Sequence, residues 1–304
     1  MAQNYGFIGL GAMGYPMAKN VRAGMLPEAT LWIFDVDKSI CIKFRDQFSN
    51  SGPIVIAGSA KEVAQNAWTT VSIVPAAQHL RQVYLDPKTG IIAAKGSDDD
   101  ASRIYVECST VDEMNMGQYF DCPVSGGVSA ADKGTLSIMI GSPAEQSALN
   151  GLNNVCNWMG DSSKKFYCGE MGSGLAAKIC NNYLSCTILL ANAEAMATGI
   201  KLGLDPKLLY RIINASTGQN FMLDHVCPVP GFIPHAPSSN GYALGFKSQM
   251  LSKDVGLGVN VAKSVNIKPS IGEAAMQVYE KPGKDERFID LDASIVYRFL
   301  GGPE

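Results

Sequence analysis

Residues 4–14 read NYGFIGLGAMG, and the fold turns on them. The run NYGFIGL (4–10) has the composition of a buried strand. It runs into glycines, and a helical pattern follows from about Ala12 to Gly24. The spacing G-x-G-x-x-G is weak evidence alone, but between a strand and a helix it acquires a mechanism. Gly9 permits a tight turn, Gly11 lets the backbone approach a pyrophosphate, and Gly14 lets helix and strand pack closely. The free N–H groups of the helix start then face the phosphates. Asp35 closes the next apolar run, TLWIFD (30–35), about 20 residues further on. An acid there accepts hydrogen bonds from the adenosine ribose and repels a 2′-phosphate, which favours NAD over NADP.

Working outward, the same grammar repeats. A helix is expected near 37–50, and PIVIA (53–57), WTTVSIV (68–74) and RIYVEC (103–108) read as further strands. QYFDCPV (118–124), TLSIMIG (135–141) and KKFYCG (164–169) continue the series. Strands alternating with helices predict an α/β domain with a doubly wound, mostly parallel sheet. One segment resists this pattern: only residues 109–117 separate two of the strands, whereas a parallel crossover normally takes a dozen residues or more. Either the helix is missing there or one strand is misassigned.

After Gly169 the pattern changes. Residues 172–199 contain no proline and carry apolar side chains on nearly every face, predicting a helix about 40 Å long that is buried all round. Asp205-Pro206 forms an N-cap and first-turn proline for another helix, to about Ala215. Residues 227–246 form a Pro/Gly-rich loop long enough to act as a lid, and helical patterns return near 246–263, 270–280 and 290–300. The expected organisation is therefore a nucleotide-binding domain over 1–170 and an all-α domain over 171–304, entered through the long helix.

Composition narrows the function classes. The chain has 304 residues, 46% hydrophobic and 17% charged, with a net charge of −3, so nothing in the bulk points to nucleic acid or an anionic membrane surface. The one charge run, Asp98–Asp100, reads as a solvated loop. Eight cysteines without a C-x-x-C pair, together with three histidines, argue against a metal site or a disulfide framework and fit a reducing, intracellular compartment. No apolar stretch is long enough to span a membrane. The first strand begins within a few residues of Met1, so no targeting peptide is expected; the cytoplasm is the expected compartment, with mitochondria left open.

Two further stretches carry chemistry. Ser125-Gly126-Gly127 follows a strand, and read alone it is either an ordinary loop or a cradle of N–H groups and a hydroxyl for a carboxylate. In GSGLAAKICNN (172–182), Lys178 and Asn182 lie four apart and share one helix face. Gly174, a turn earlier, is expected to leave space beside them. Lys178 is either a snorkelling lysine or a general acid/base acting on a substrate hydroxyl, its pKa lowered by burial, with Asn182 holding the same oxygen.

Taken in order, GFIGLGAMGYPMAKN (6–20), DCPVSGGVSAADKGTLSIMIG (121–141), GSGLAAKICNN (172–182) and SKDVGL (252–257) resemble the β-hydroxyacid dehydrogenases, most closely the 3-hydroxyisobutyrate dehydrogenase branch. The similarity extends through AEAMATGIKLGLDPKLL (193–209) and PVPGFIPHAPSSNGY (228–242). The resemblance implies a Rossmann domain joined by a long helix to an α-helical domain that supports homodimers or homotetramers. It implies Lys178 as the catalytic residue with Asn182 beside it, and Ser125, Gly126 and Gly127 as the substrate-carboxylate motif. It places Lys253 against cofactor and substrate. The cofactor-binding set is Gly9, Leu10, Gly11, Ala12, Met13, Gly14, Asp35, Val74, Pro75, His79 and Thr110, with His79 standing where close relatives carry Asn. No metal is implied. The reaction implied is NAD-dependent oxidation of a small β-hydroxy acid, foremost 3-hydroxyisobutyrate to methylmalonate semialdehyde. Two alternatives stand beside it: an NADPH-dependent glyoxylate or succinic semialdehyde reductase, and a non-enzymatic oligomerisation module. Where this chain has 109–117, relatives carry a helix, and the tail from about Lys281 also diverges.

Overall fold

Strand β1 (Tyr5–Ile8) is buried at every residue and has a strand on each side. Around it β2 (Leu31–Phe34), β3 (Ile54–Ile56), β4 (Thr69–Ser72), β5 (Ile104–Glu107) and β6 (Gln118–Asp121) form a six-stranded sheet in the order β3-β2-β1-β4-β5-β6. Every pairing is parallel. The order reverses between β1 and β4, and the crevice at such a reversal is where doubly wound sheets bind ligands. Along the carboxyl edge the register runs Phe34, Ile8, Ser72, Glu107, Asp121. The computed structural model describes residues 3–94, 102–110, 118–144, 149–243 and 245–303; Asp98–Asp100 lie outside them.

Both faces of this sheet are covered, which is why its strands read as near-continuous apolar runs. Helices α1 (Gly14–Gly24) and α2 (Lys38–Phe48) cover one face; Met17, Ala18 and Val21 pack with Phe7, Leu31, Ile33 and Val71. Burying each of these larger side chains contributes about 1.5–3 kcal/mol. On the other face α3 (Ala60–Asn66) and α4 (Ala77–Leu85) bring Val63, Leu80 and Tyr84 against Ile8, Tyr105 and Tyr119. Local signals set the helix starts. The Asp37 carboxylate accepts the Ser39 N–H at 2.9 Å at the start of α2, and Ser59 accepts the Glu62 N–H at 3.2 Å while Glu62 reaches back to the Gly58 N–H at 2.7 Å.

The short connection before β6 does not reflect a misassigned strand. β5 and β6 are both present and pair over four residues; residues 111–117 of their connection lie outside the described residues. QYFDCPV, expected to be one strand, is two. β6 ends at Asp121, Cys122-Pro123 breaks the ladder, and β7 (Val124–Ser125) joins a different sheet. Pro123 has no N–H for a ladder bond, which accounts for the break. The second sheet is β7-β8-β9, with β8 (Leu136–Ile140) antiparallel to β7 and parallel to β9 (Gly160–Tyr167). Helices α5 (Gly127–Lys133) and α6 (Asn150–Met159) flank it in sequence.

Helix α7 runs from Ser173 to Lys201. The chain divides into two compact units within it, Met1–Lys178 and Ile179–Glu304. Within the single chain α7 is not covered on every face: Cys180, Ala191 and Glu194 are exposed, and Leu184 is 58% exposed. The second unit is built from helices. These are the rest of α7, then α8 (Pro206–Asn214), α9 (Phe221–His225), α10 (Ser248–Ser264), α11 (Ser270–Tyr279) and the short α12 (Val296–Phe299). Its core joins Leu189, Ala193 and Met196 with Leu223, Val255, Val259 and Tyr279. Asp205 caps α8 by accepting the Leu208 N–H at 2.8 Å, as its sequence predicts. The 227–246 loop is braced by hydrogen bonds within itself. Ser238 Oγ donates to the Cys227 carbonyl at 2.5 Å and Tyr242 OH to the Pro228 carbonyl at 3.0 Å. The 290–300 pattern shortens to a 3₁₀ turn, Ala293–Ile295, running into α12. No helix among the described residues is long and apolar enough to cross a membrane.

Candidate functional site

The glycine turn has the shape its spacing requires. Gly9 has φ +93°, and a Cβ there would run into the Ile73 carbonyl. A Cβ on Gly14 would run into the Gly9 carbonyl, whereas one on Gly11 would meet nothing within 4 Å. The turn is thus closed at both ends and open in the middle, as a pyrophosphate cradle must be. Gly11 and Ala12 are exposed and Met13, at the N-cap, is half-buried. Helix α1 has no side-chain cap and no acid in its first turn, so its leading N–H groups remain suited to an anion.

Asp35 is tied to this turn. One oxygen accepts the Leu10 N–H at 2.6 Å and the other accepts the Asp37 N–H at 2.9 Å. The carboxylate therefore stands at the end of β2 in a fixed orientation, on the side of the crevice where the adenosine ribose of a dinucleotide lies.

Across the crevice, the segments after β4 and β5 are joined. The Val74 N–H donates to Ser109 Oγ at 2.7 Å, and the Ser109 N–H donates to Glu107 Oε1 at 2.7 Å. This brings Val74-Pro75 beside Ser109-Thr110. His79 is half-buried in the first turn of α4, which has no side-chain cap. Glu107 itself is 1% exposed, and burial pushes its carboxyl up to about 7 against hydrogen bonds from Ser109, Ser72 and Tyr84 that favour the anion.

The Ser125–Gly127 turn follows β7 and leads into α5. Gly126 has φ +133°, which only glycine adopts readily, and a Cβ on Gly127 would meet open space. Asp121, at the end of β6, accepts the Gly172 N–H at 2.8 Å and the Leu175 N–H at 2.7 Å. It therefore caps the start of α7 with a buried carboxylate. Gly174 does not open room for a ligand. A Cβ there would collide with the Met139 carbonyl and lie 3.0 Å from Asp121 Oδ2, so this glycine lets the helix dock on the strand ends. Lys178 follows one turn later and is buried.

In the second unit, Asn182 Nδ2 donates to Asp254 Oδ2 at 2.7 Å, and Lys253 Nζ lies 3.4 Å from Asp254 Oδ1. The structure thus brings Asn182 and Lys253 to one buried acid. Sequence reasoning left Asp254 and Asp121 out of the candidate set. Asp254 was visible as the second residue of Lys253-Asp254, and Asp121 as an acid directly after a buried strand and far in sequence from the helix it caps.

The sheet order, the glycine turn and the fixed acid define a Rossmann-type fold with the features of a dinucleotide-binding site. Comparison with known proteins refines that class. Residues 4–169 match the NAD binding domain of 6-phosphogluconate dehydrogenase, and residues 172–300 match the NAD-binding domain described for NADP-dependent 3-hydroxyisobutyrate dehydrogenase. The mitochondrial 3-hydroxyisobutyrate dehydrogenase of Mus musculus is 37% identical over 97% of this chain and 86% of its own length. An NAD-dependent L-serine dehydrogenase of Pseudomonas aeruginosa is 35% identical over 97% of this chain and 96% of its own. A solved Mycobacterium tuberculosis 3-hydroxyisobutyrate dehydrogenase with L-serine superposes with a TM-score of 0.82 at 29% identity, covering 99% of both chains. The chain belongs to the 3-hydroxyisobutyrate dehydrogenase family.

Proposed function

We propose that this protein oxidises 3-hydroxyisobutyrate, or a β-hydroxy acid close to it, to the semialdehyde with NAD, using Lys178 as general acid/base. One observation carries the reading. Asp121 pins the start of the Lys178 helix to the end of β6, and three residues later the same chain enters the strand that leads to the Ser125–Gly127 turn. The proton-handling residue and the carboxylate cradle thus share one rigid origin.

In this mechanism NAD, when bound, supplies the acceptor for the hydride leaving the carbinol carbon. Lys178, as the neutral amine, takes the hydroxyl proton while the C–O bond becomes a carbonyl, and ends as an ammonium that returns its proton to solvent. The Asn182 amide holds the same oxygen, oriented by Asp254. The Ser125 hydroxyl and the N–H groups of Gly126 and Gly127 hold the carboxylate, and Lys253 balances its charge. Gly9–Gly14 cradle the pyrophosphate, with Leu10, Ala12 and Met13 supplying backbone, while Val74, Pro75, His79 and Thr110 border the cofactor. Asp35 supports NAD because a 2′-phosphate beside its carboxylate would be repelled. The helical unit is proposed to support a homodimer or homotetramer.

Serine is the second reading. The relatives named for L-serine dehydrogenase and bound to L-serine favour it, and serine carries the same β-hydroxyl and carboxylate. Rates of reduction of NAD and NADP with 3-hydroxyisobutyrate, L-serine and 4-hydroxybutyrate, measured side by side, decide among these. Turnover with none of them, or preference for NADP, would overturn the proposal.

A further inference from the structure

Behind the segments assigned to the cofactor lies a buried acid that the mechanism above does not use. We propose that Glu107 is a positioning residue of the cofactor site: its carboxylate locks the segment after β4 to the segment after β5, and losing its charge loosens the grip on the dinucleotide. This rests on the reading that Val74, Pro75 and Thr110 border the cofactor.

The geometry forms one continuous chain of hydrogen bonds. Oε1 of Glu107 accepts the Ser109 N–H at 2.7 Å, Oε2 accepts the Ser72 hydroxyl, and the Ser72 and Tyr84 hydroxyls lie 2.7 Å apart. Ser109 Oγ in turn accepts the Val74 N–H at 2.7 Å. Both segments therefore hang from one carboxylate, and Ser72 and Glu107 are register partners on β4 and β5. Among the described residues, the groups that bond to Glu107 are hydroxyls and a backbone N–H, and no cation is among them. Both oxygens of this buried carboxylate accept, an arrangement that a neutral amide, with one acceptor oxygen and an NH2 donor, cannot reproduce, so the charged form is the one the hydrogen bonds are built for.

The donors fix the polarity. With Glu107 ionised, Tyr84 donates to Ser72, Ser72 to Oε2, and the Ser109 N–H to Oε1, so every hydrogen has an acceptor. With a proton on Oε2, that oxygen turns from acceptor to donor towards the Ser72 hydroxyl, the Ser72 and Tyr84 hydroxyls must reorient, and the carboxyl keeps one full acceptor where the anion had two. Neutralisation thus leaves one full acceptor for the donors that the anion held with two, and it weakens the Ser109 anchor. Among the described residues the titratable neighbours include Tyr84 on α4, Tyr105 on β5, Tyr119 and Asp121 on β6, and Cys108 just after β5. Burial drives Tyr84, Tyr119 and Cys108 far upward, and both Asp121 oxygens are taken by the start of α7. Burial pushes Glu107 up to about 7, so its own charge changes around neutrality.

The test is NADH binding, followed by fluorescence from pH 6 to pH 8, in wild type, Glu107→Gln and Ser109→Ala. Wild type is expected to bind about threefold to tenfold more weakly at the acid end. Glu107→Gln, fixed in the neutral form, should be flat across the range and match the weak acid-end value. Ser109→Ala should keep the pH dependence but bind more weakly throughout, with KM for the hydroxy acid within about twofold of wild type. A Glu107→Gln profile identical to wild type would overturn the proposal. If Glu107→Gln does not fold, Ser109→Ala decides alone, and wild-type NADH affinity in that variant would overturn it. Should wild type bind NADH with this pH profile yet oxidise no β-hydroxy acid, the functional reading falls while the positioning role stands. Should wild type bind no dinucleotide, both fall.

Discussion

Asn182 gives a side-chain hydrogen to Asp254 across 2.7 Å, joining an amide of the long helix to a carboxylate of α10. With that hydrogen committed, the amide presents its oxygen and its second N–H in a fixed sense, which an isolated asparagine would not do. Asp254→Ala is expected to lower kcat about tenfold to a hundredfold while leaving NADH affinity within about twofold. Asp254→Asn should recover part of the loss. Steady-state kinetics with direct NADH titration check both, and unchanged kcat in the alanine variant would remove Asp254 from the site.

Replacing Lys178 by methionine keeps the length and removes the proposed base. Turnover should fall by about 10²–10⁴ while cofactor binding persists. Normal turnover would sink the proposed mechanism.

The proposed preference for NAD is tested at Asp35. Asp35→Ser should raise KM for NAD about tenfold and narrow the NAD-to-NADP ratio of kcat/KM, through loss of the ribose contact and of the repulsion of a 2′-phosphate. Because Asp35 also holds the Leu10 N–H, some loss should appear with both cofactors. An unchanged ratio argues against the assignment.

How much of this was legible beforehand follows from the range of each interaction. The turn at Gly9–Gly14 and the cap at Asp205 depend on neighbours close in sequence, and pattern reading finds them; Asp35 lies 25 residues from the Leu10 N–H it holds and is found through the regular strand–turn–helix–strand spacing. The split at Cys122-Pro123 was missed because strand propensity hid a proline break between two sheets. Gly174 was misread because its reason is the Met139 carbonyl and Asp121, which are close only in space. Asp121, Asp254 and Glu107 act across 51 residues, 72 residues and two strands respectively, beyond the reach of any local pattern.

Asp121 carries the start of α7. Asp121→Ala removes the acceptor for two N–H groups in a buried place and should destabilise the fold by about 2 kcal/mol or more. Thermal unfolding measures this, and an unchanged midpoint would show the cap to be dispensable.

Glu107 also makes stability depend on pH. Its carboxyl rises from 4.5 to about 7 in the folded chain, so between those values the folded protein holds a proton that the unfolded chain has released. The linked stabilisation is complete below pH 4.5 and is lost as pH rises through about 7, an effect of about 3 kcal/mol. Urea unfolding across this range should show the decline in wild type, with a shallower slope in Glu107→Gln. Equal slopes would contradict it.

The break at Cys122-Pro123 has a consequence for exchanging parts between relatives. Since β6 and β7 are one run of chain serving two sheets, the Ser125–Gly127 turn is not a detachable loop: a transplant cut after Asp121 would import a foreign strand angle with it. A swap intended to change the acid accepted should take its joints at β6's beginning and beyond β8, carrying Asp121 and its two amide partners as a single cassette.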